Sequence, residues 1–524
     1  MTLTPEIAIS IALGGWPPRY QEIDQLEAWY LGLQYELGGP WYREHKWTDE
    51  RDSSGKYIPL AQRRPYDFGI AKNLVDMPTG FLFDEGRFPA LLVEGDDAGA
   101  VAAEAWLRAV AEHVAMRVKM LNGSRIGGRQ RSVFAYFKIV DGEPILDMHG
   151  GKYCTPTFER DGKTLKLVRK QYKCLGEHFA RMGYAIDEPD KFYWYRHDFT
   201  PDAEIAYFPV KFEQGPKVPQ FEVDEDRTVR HNLGFVPGVW MVNLYQREDG
   251  YDGVGTYEGE QVLTMIHLCN ESLSQAHRAT GHASDPQFVL EVDPEKGDPD
   301  PAIRSQTKGG VWMMPGKLSL VEMAGTGQKM ALEMFDRYRA LISDATSVTE
   351  VDPESISGKA QSAEALRVLY AGLIGFASLL RVCYGEQGLV PLCKIILRVL
   401  KATANTSINI DGVSWEGKEV ERSAIPDRPK VRLEWGPWFA PTAADQQAMI
   451  ASAASAVVAG LLSQETAVSV IAKLYGRDGG EELKKILAER EERMNEAVRE
   501  QQALAEAIAT VEGDEPEEEP GADE

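Results

Sequence analysis

Cysteine is scarce: five residues in 524, at 154, 174, 269, 383 and 393, with no Cys-x-x-Cys pair. An odd number without ligand spacing argues against a disulfide framework and against a structural zinc site, and a reducing compartment is the expectation. Long hydrophobic runs are missing too. The charge-free segment 446–464 has the length of a span but is mostly Ala and Ser, which argues against a membrane helix. The first basic residue is Arg19, so the opening MTLTPEIAISIALGG lacks the positive start of a secretory signal. Thr4 and Pro5 read instead as an N-cap and first helical position. Positive charge is outnumbered: 57 Lys and Arg stand against 81 Asp and Glu, a net charge of −24. That balance disfavours a simple basic-patch nucleic-acid binder. It leaves room for a surface that DNA passes without sticking.

Signatures of catalysis are absent as well. There is no G-x-x-x-x-G-K-[ST], no H-E-x-x-H and no G-x-S-x-G. Nine histidines are scattered, and His267 and His277 stand ten residues apart on one predicted helix, which is not a ligand spacing. The Gly253-Val254-Gly255 turn falls between a strand and a helix, but the next glycine is Gly259, one place late for a dinucleotide fingerprint. It reads as a flexible joint before a long helix, with a nucleotide-binding enzyme as the rival reading. Neither an enzyme, a cofactor nor a metal site is indicated.

What is present is an ordinary globular composition, 43% apolar and 26% charged, at a length that suggests three to four domains. Helical spacing marks 21–35 and 69–83. It also predicts one amphipathic helix over 97–121, closing on Asn122-Gly123. The pattern then turns to strands: 132–140, the turn Asp141-Gly142, 143–148, 164–172, 191–199, 205–212 and 238–244. Two long helices, 257–280 and 328–343, flank an antiparallel-looking insert with strand candidates at 287–292, 310–314 and 318–322. A polar loop occupies 346–362, and long polar loops in large proteins are usually functional or mobile. A helical region runs from 363 to about 402, with a kink or break expected near 385–391, where Gly385, Gly388 and Pro391 fall. Strand candidates at 407–410 and 430–435 follow, then helices over 442–475 and 479–510. The last residues, EGDEPEEEPGADE, have the composition of a disordered tail.

Aromatic residues cluster at Tyr193-Trp194-Tyr195 and at Trp435-Gly436-Pro437-Trp438. They suit packing in a strand core or at a subunit interface better than base stacking. The positive residues near the paired helices read first as a solvated face.

Several segments, in this order, resemble the bacteriophage portal protein family, the head-to-tail connectors of tailed double-stranded DNA phages. They are AKNLVDMPTGFLF (71–83), HNLGFVPGVWMVNL (231–244), GEQVLTMIHLCNESLS (259–274), SGKAQSAEALRVLYAGL (357–373) and GLLSQETAV (460–468). In the third, His267 stands where the family often has Asp.

The resemblance implies an α+β multidomain chain, mainly helical, with the portal regions wing, stem, clip and crown. The wing would be 1–255 and 363–440, the stem helices 256–282 and 328–345, and the clip 283–327. The tunnel loop would be 346–362, the crown 441–510 and the acidic tail 511–524. It implies a homo-oligomeric ring, twelve subunits in the virion, at one capsid vertex, assembled in the host cytoplasm. Double-stranded DNA would be packaged and ejected through its channel. The partners implied are the terminase packaging motor, head-completion or adaptor proteins, and the major capsid and scaffold proteins; no membrane is involved. Asp352, Glu354, Ser357 and Lys359 would lie on the tunnel loop, His277, Arg278, Lys329 and Arg337 in the stem lumen, and Trp312, Met313 and Lys317 on the clip's docking face. A capsid assembly protein without a channel is the other alternative.

Overall fold

A computed structural model describes residues 18–84, 86–95, 97–213, 219–248, 250–283, 287–291, 311–314, 318–321, 326–348, 363–410, 413–415, 418–439, 443–474 and 479–512. The expected helix start at Thr4-Pro5, Lys317, the loop residues Asp352, Glu354, Ser357 and Lys359, and the acidic tail after Glu512 lie outside the described residues. About half of the described residues are helical and the rest include several small sheets, an α+β architecture. Contacts divide it into two compact units: Met1–Glu350 with Tyr370–Trp438, and Val351–Leu369 with Phe439–Glu524.

In the first unit, the helices Pro18–Leu31 and Ile70–Phe83 form where the periodicity predicts them. The predicted helix over 97–121 is instead two, Ala98–His113 and Met116–Gln130, separated at Ala115 with φ 50°. Asn122-Gly123 does not end the helix; it lies inside the second one. The glycines there are packing positions. A Cβ on Gly127 would fall 2.0 Å from the Tyr384 hydroxyl, and one on Gly128 2.8 Å from Val75. Tertiary contact thus overrides the poor helix propensity of glycine.

The strand Ser132–Val140 lies between Gly238–Val242 and Glu143–Gly150, all antiparallel. The hairpin turns at Asp141-Gly142 with φ 51° and 86°, the two positive angles that a tight hairpin requires. A second antiparallel sheet runs Cys154–Phe158, Leu165–Leu175, Phe192–Phe199, Ala203–Ala206 and Val229–Arg230, with Val210–Lys211 also paired to Phe192–Phe199. The sequence reading missed Cys154–Phe158. Pro156 sits in it, tolerated because the strand is at the sheet edge. The predicted strand 407–410 does not form. Val431–Glu434 does, and pairs antiparallel with Ala90–Val93.

The helical region after residue 362 is Ala363–Leu369, Ala371–Leu380 and Val390–Ala402, the last two joined by nine π-helical residues, Arg381–Leu389. That wide turn stands where the kink is expected, and Pro391 falls in the first turn of the last helix. Leu392, Ile396, Leu397 and Leu400 are fully buried against residues of Ala98–His113, Met116–Gln130 and the central strands. This is the main core of the first unit.

The insert between the two long helices holds strands Gln287–Glu291, Val311–Met314 and Leu318–Val321. It is a mixed sheet, not antiparallel throughout: Gln287–Glu291 lies between the other two, parallel to Val311–Met314 and antiparallel to Leu318–Val321. The second unit is wholly helical among its described residues, with Ala363–Leu369, Ala443–Val458, Gln464–Leu474 and Gly479–Glu512. Gly479 packs directly on the Ser469 backbone. No described helix is long and apolar enough to cross a membrane.

Candidate functional site: a helix pair held by a polar stripe

Helices Glu260–Ala283 and Thr326–Thr346 pack side by side. At ~1.5 Å per residue the first is on the order of 36 Å long. Their seam is apolar: Ile266, Cys269 and Ile342 are buried, with Phe335 and Tyr338 packed against them. The same cluster takes in Trp29, Leu74, Val75 and Tyr257, so the pair is rooted in the N-terminal helices.

A second face of Glu260–Ala283 is polar. His267, Asn270, Glu271, Ser274 and Arg278 recur at the three- and four-residue steps that align side chains on one stripe. Each grips the irregular segment 34–69. His267 Nδ1 meets Tyr35 Oη at 2.8 Å, and its ring lies 4.2 Å from that of Trp41. Arg43 Nη2 stands 3.1 Å from His267 Nε2, while Arg43 Nη1 donates to Glu271 Oε1 at 2.8 Å. Asn270 donates to Tyr35 Oη and to Asp67 Oδ1, each at 3.3 Å, and accepts from the Phe68 backbone N–H. Ser274 Oγ accepts from the Tyr66 N–H, and the Ser274 carbonyl accepts from Trp47 Nε1 at 2.9 Å. Arg278 pairs with Glu50 at 3.2 Å. The hydrogen bond from His267 and the neighbouring Arg43 hold the Glu271 carboxyl down at about 2, against the opposing effect of its burial.

The glycine-rich joint before this helix is fixed in place. Gly253 lies against the backbone of Asn243 and Arg131, where a Cβ would fall 2.4–2.6 Å from their atoms. Asp252 is buried, paired with Arg19 and accepting from Ser132 Oγ at 3.1 Å. Glu258 accepts the Gly255 N–H at 2.7 Å and takes Arg131 side-on at 2.9 and 2.6 Å. The turn is thus packed and hydrogen-bonded by the protein's own groups, and these contacts correct the flexible-joint reading. Among the described residues no group of three His, Cys, Asp or Glu could hold a metal ion.

The stem residues named from the sequence take different surroundings. Arg278 is tied to Glu50 and half-buried. The exposed His277 sets its ring edge-on to Tyr66 at 5.8 Å. Lys329, exposed, is 4.0 Å from Glu333, and Arg337 is exposed on the same helix. Trp312 and Met313 occupy register positions opposite Val289 and Leu290. The His267–Tyr35–Arg43–Glu271 network was missed. Its one sequence signal was a run of polar residues at helical spacing inside an otherwise amphipathic helix.

Both outer flanks of the pair expose apolar side chains. On one flank of Thr326–Thr346 stand Met330 (62% exposed), Met334 and Leu341 (46%). On the opposite flank Leu332 joins Tyr66, Phe68, Leu273 and Ala276 around a groove of about 690 Å³.

The family model described as phage portal protein, SPP1 Gp6-like, matches residues 189–496. That span takes in the glycine-rich joint, both long helices and the insert, the helical region beyond, and most of the second unit. No curated protein matches the chain. With more than half of its length matched, the chain belongs to the phage portal protein family.

Proposed function

We propose that the chain forms a ring-shaped channel at one capsid vertex, through which double-stranded DNA is packaged and later ejected. The observation that carries this is the pair of unlike apolar flanks on Thr326–Thr346: a projecting Met330–Met334–Leu341 ridge on one side and the Tyr66–Phe68–Leu332 groove on the other. A ridge on one copy meeting a groove on the next is a head-to-tail contact, and such contacts close into rings when the rotation allows. The helical second unit supports the same reading. Val458, Leu461 and Met494 are exposed at 89, 82 and 69%, more apolar surface than a lone helical unit keeps.

With both flanks against neighbours, the helix face turned from Glu260–Ala283 is left for the channel. By helical spacing Lys329, Glu333, Asp336, Arg337 and Asp344 fall there, charges of both signs. A lumen of mixed charge on a chain of net −24 releases few counterions from DNA, so the duplex slides rather than binds. In this reading His277 and Arg278, on the other helix, do not line the lumen. The regions follow as wing 1–255 and 363–440, stem 256–282 and 328–345, clip 283–327, tunnel loop 346–362 and crown 441–510. The loop's Asp352, Glu354, Ser357 and Lys359 meet the DNA, and Lys359 grips it transiently. The clip, with Trp312, Met313 and Lys317, docks the terminase motor and then the head-completion proteins. The portal itself hydrolyses nothing.

Light scattering on the purified protein tests the assembly. A particle with the mass of about twelve chains of 58.3 kDa is expected, and a 58.3 kDa monomer at micromolar concentration contradicts it.

A further inference from the structure

The Trp435-Gly436-Pro437-Trp438 motif is used in an unexpected way. Its two indoles close on the guanidinium of Arg381, the first residue of the π-helical turn, with Arg381 Cζ 3.4 Å from the Trp438 ring centre and 4.5 Å from that of Trp435. The backbone is shaped for this clamp. A Cβ on Gly385 would fall 2.7 Å from Trp435, so only glycine lets the indole lie over the π turn. Stacking satisfies the faces of the guanidinium but not its edge. Arg381 Nε and Nη2 are both buried and neither has a hydrogen-bond acceptor. Among the described residues no carboxylate contributes to its electrostatics: burial, and then the neighbouring charge of Arg87, pull the Arg381 pKa down to about 10. Arg87 in turn lies over Phe81 at 4.3 Å.

Two guanidinium groups held by aromatic faces and close enough to repel are costly, the more so in a protein with an excess of 24 negative charges to choose from. A buried guanidinium edge without an acceptor calls for a water or an ion. The Nε–Nη2 edge is a planar fork that matches two oxygens of one oxyanion. A second cation alongside favours an anion that carries up to two charges. We propose that Arg381, held by the Trp435 and Trp438 rings, and the neighbouring Arg87, on Phe81, form a receptor for a phosphate-type oxyanion, bound side-on to the Arg381 fork. The receptor stands on the first unit alone and does not depend on the channel reading. Its anion is either free phosphate or a phosphate of a nucleic-acid backbone.

The test is binding of inorganic phosphate to the full-length protein, followed by thermal shift and calorimetry at constant ionic strength with chloride as the reference. Saturable stabilisation by phosphate is expected. It is lost in Arg381→Lys, which keeps the charge but not the fork, and in Arg87→Gln, which removes the second charge at a half-buried position. It persists in Arg181→Gln, an exposed control paired with Glu177. A short DNA duplex that competes with phosphate at the Arg381-dependent site assigns the anion to the nucleic-acid backbone; a duplex that does not compete assigns it to free phosphate. No saturable phosphate response in the wild type, or an equal response in the Arg381→Lys protein, overturns the proposal.

Discussion

The Tyr384 hydroxyl donates to Asn243 Oδ1 at 2.9 Å across 141 residues of chain, and the same oxygen occupies the space that a side chain at position 127 would need. The tyrosine thereby locks the π-helical turn to the strand end at Val242 and to the Met116–Gln130 helix. Gly127→Ala puts a methyl group into that oxygen, and overpacking of this kind costs about 1–3 kcal/mol. Urea denaturation reads the loss. Tyr384→Phe in the same chain restores part of it by removing the clashing atom. A Gly127→Ala protein as stable as the wild type would show that the contact is not as close as described.

The Glu271 carboxyl gives a signed pH prediction. Its folded-state pKa lies at about 2, below the ordinary 4.5, because His267 bonds to it and Arg43 stands beside it. The unfolded chain therefore binds the proton first. The stabilisation is fully present above about pH 4.5 and disappears as the pH falls toward 2. Glu271→Gln removes this dependence and about 1–3 kcal/mol of stability at neutral pH. Denaturation midpoints from pH 2 to 7 check it: the wild-type and variant curves converge in acid, separate as the pH rises toward 4.5, and run parallel above it.

His149 acts in a different pH window. Its ring lies against Phe134 and Phe199, and Lys170 Nζ is 3.4 Å from its Nδ1. Burial first, then the charges of Lys170 and His197, push its pKa from 6.5 down to about 3. The folded state thus keeps the ring neutral while the unfolded chain protonates it. Stability present above pH 6.5 is lost as the pH falls toward 3. His149→Phe, an aromatic ring without the titrating nitrogens, flattens that slope by about 1–3 kcal/mol. Equal slopes for the two proteins would remove His149 as the cause.

Much of this architecture is legible in the sequence because amphipathic periodicity is local. Ile70–Phe83, Glu260–Ala283 and Thr326–Thr346 each announce an apolar stripe, and Asp141-Gly142 announces a hairpin. Failures arise where distant packing decides. Asn122 to Gly128 looks like a helix end until Met148, Tyr384 and Val75 supply the reason for its glycines. Cys154–Phe158 hides behind Pro156, which only an edge strand accepts. The His267 network joins residues more than 200 positions apart, and nothing local to Tyr35 or Arg43 foretells it. Trp435 and Trp438 are conspicuous in the sequence, but their partner Arg381 is visible only in three dimensions.

The two flanks of the helix pair give a prediction about assembly. Met334→Glu and Leu341→Glu each place a charge on the exposed ridge. Because both sites are solvent-accessible in the single chain, monomer stability changes by no more than about 0.5 kcal/mol. The ring falls to monomers or open arcs in size-exclusion chromatography with light scattering. Rings that survive both substitutions would place the subunit contact elsewhere.

An end-on cryo-electron microscopy reconstruction of the purified protein tests the channel most directly. A closed ring with an open centre is expected, lined by the Thr326–Thr346 helix, with Lys329, Glu333, Arg337 and Asp344 toward the lumen. A ring with that helix on its outer rim, or a particle whose centre is filled, would contradict it.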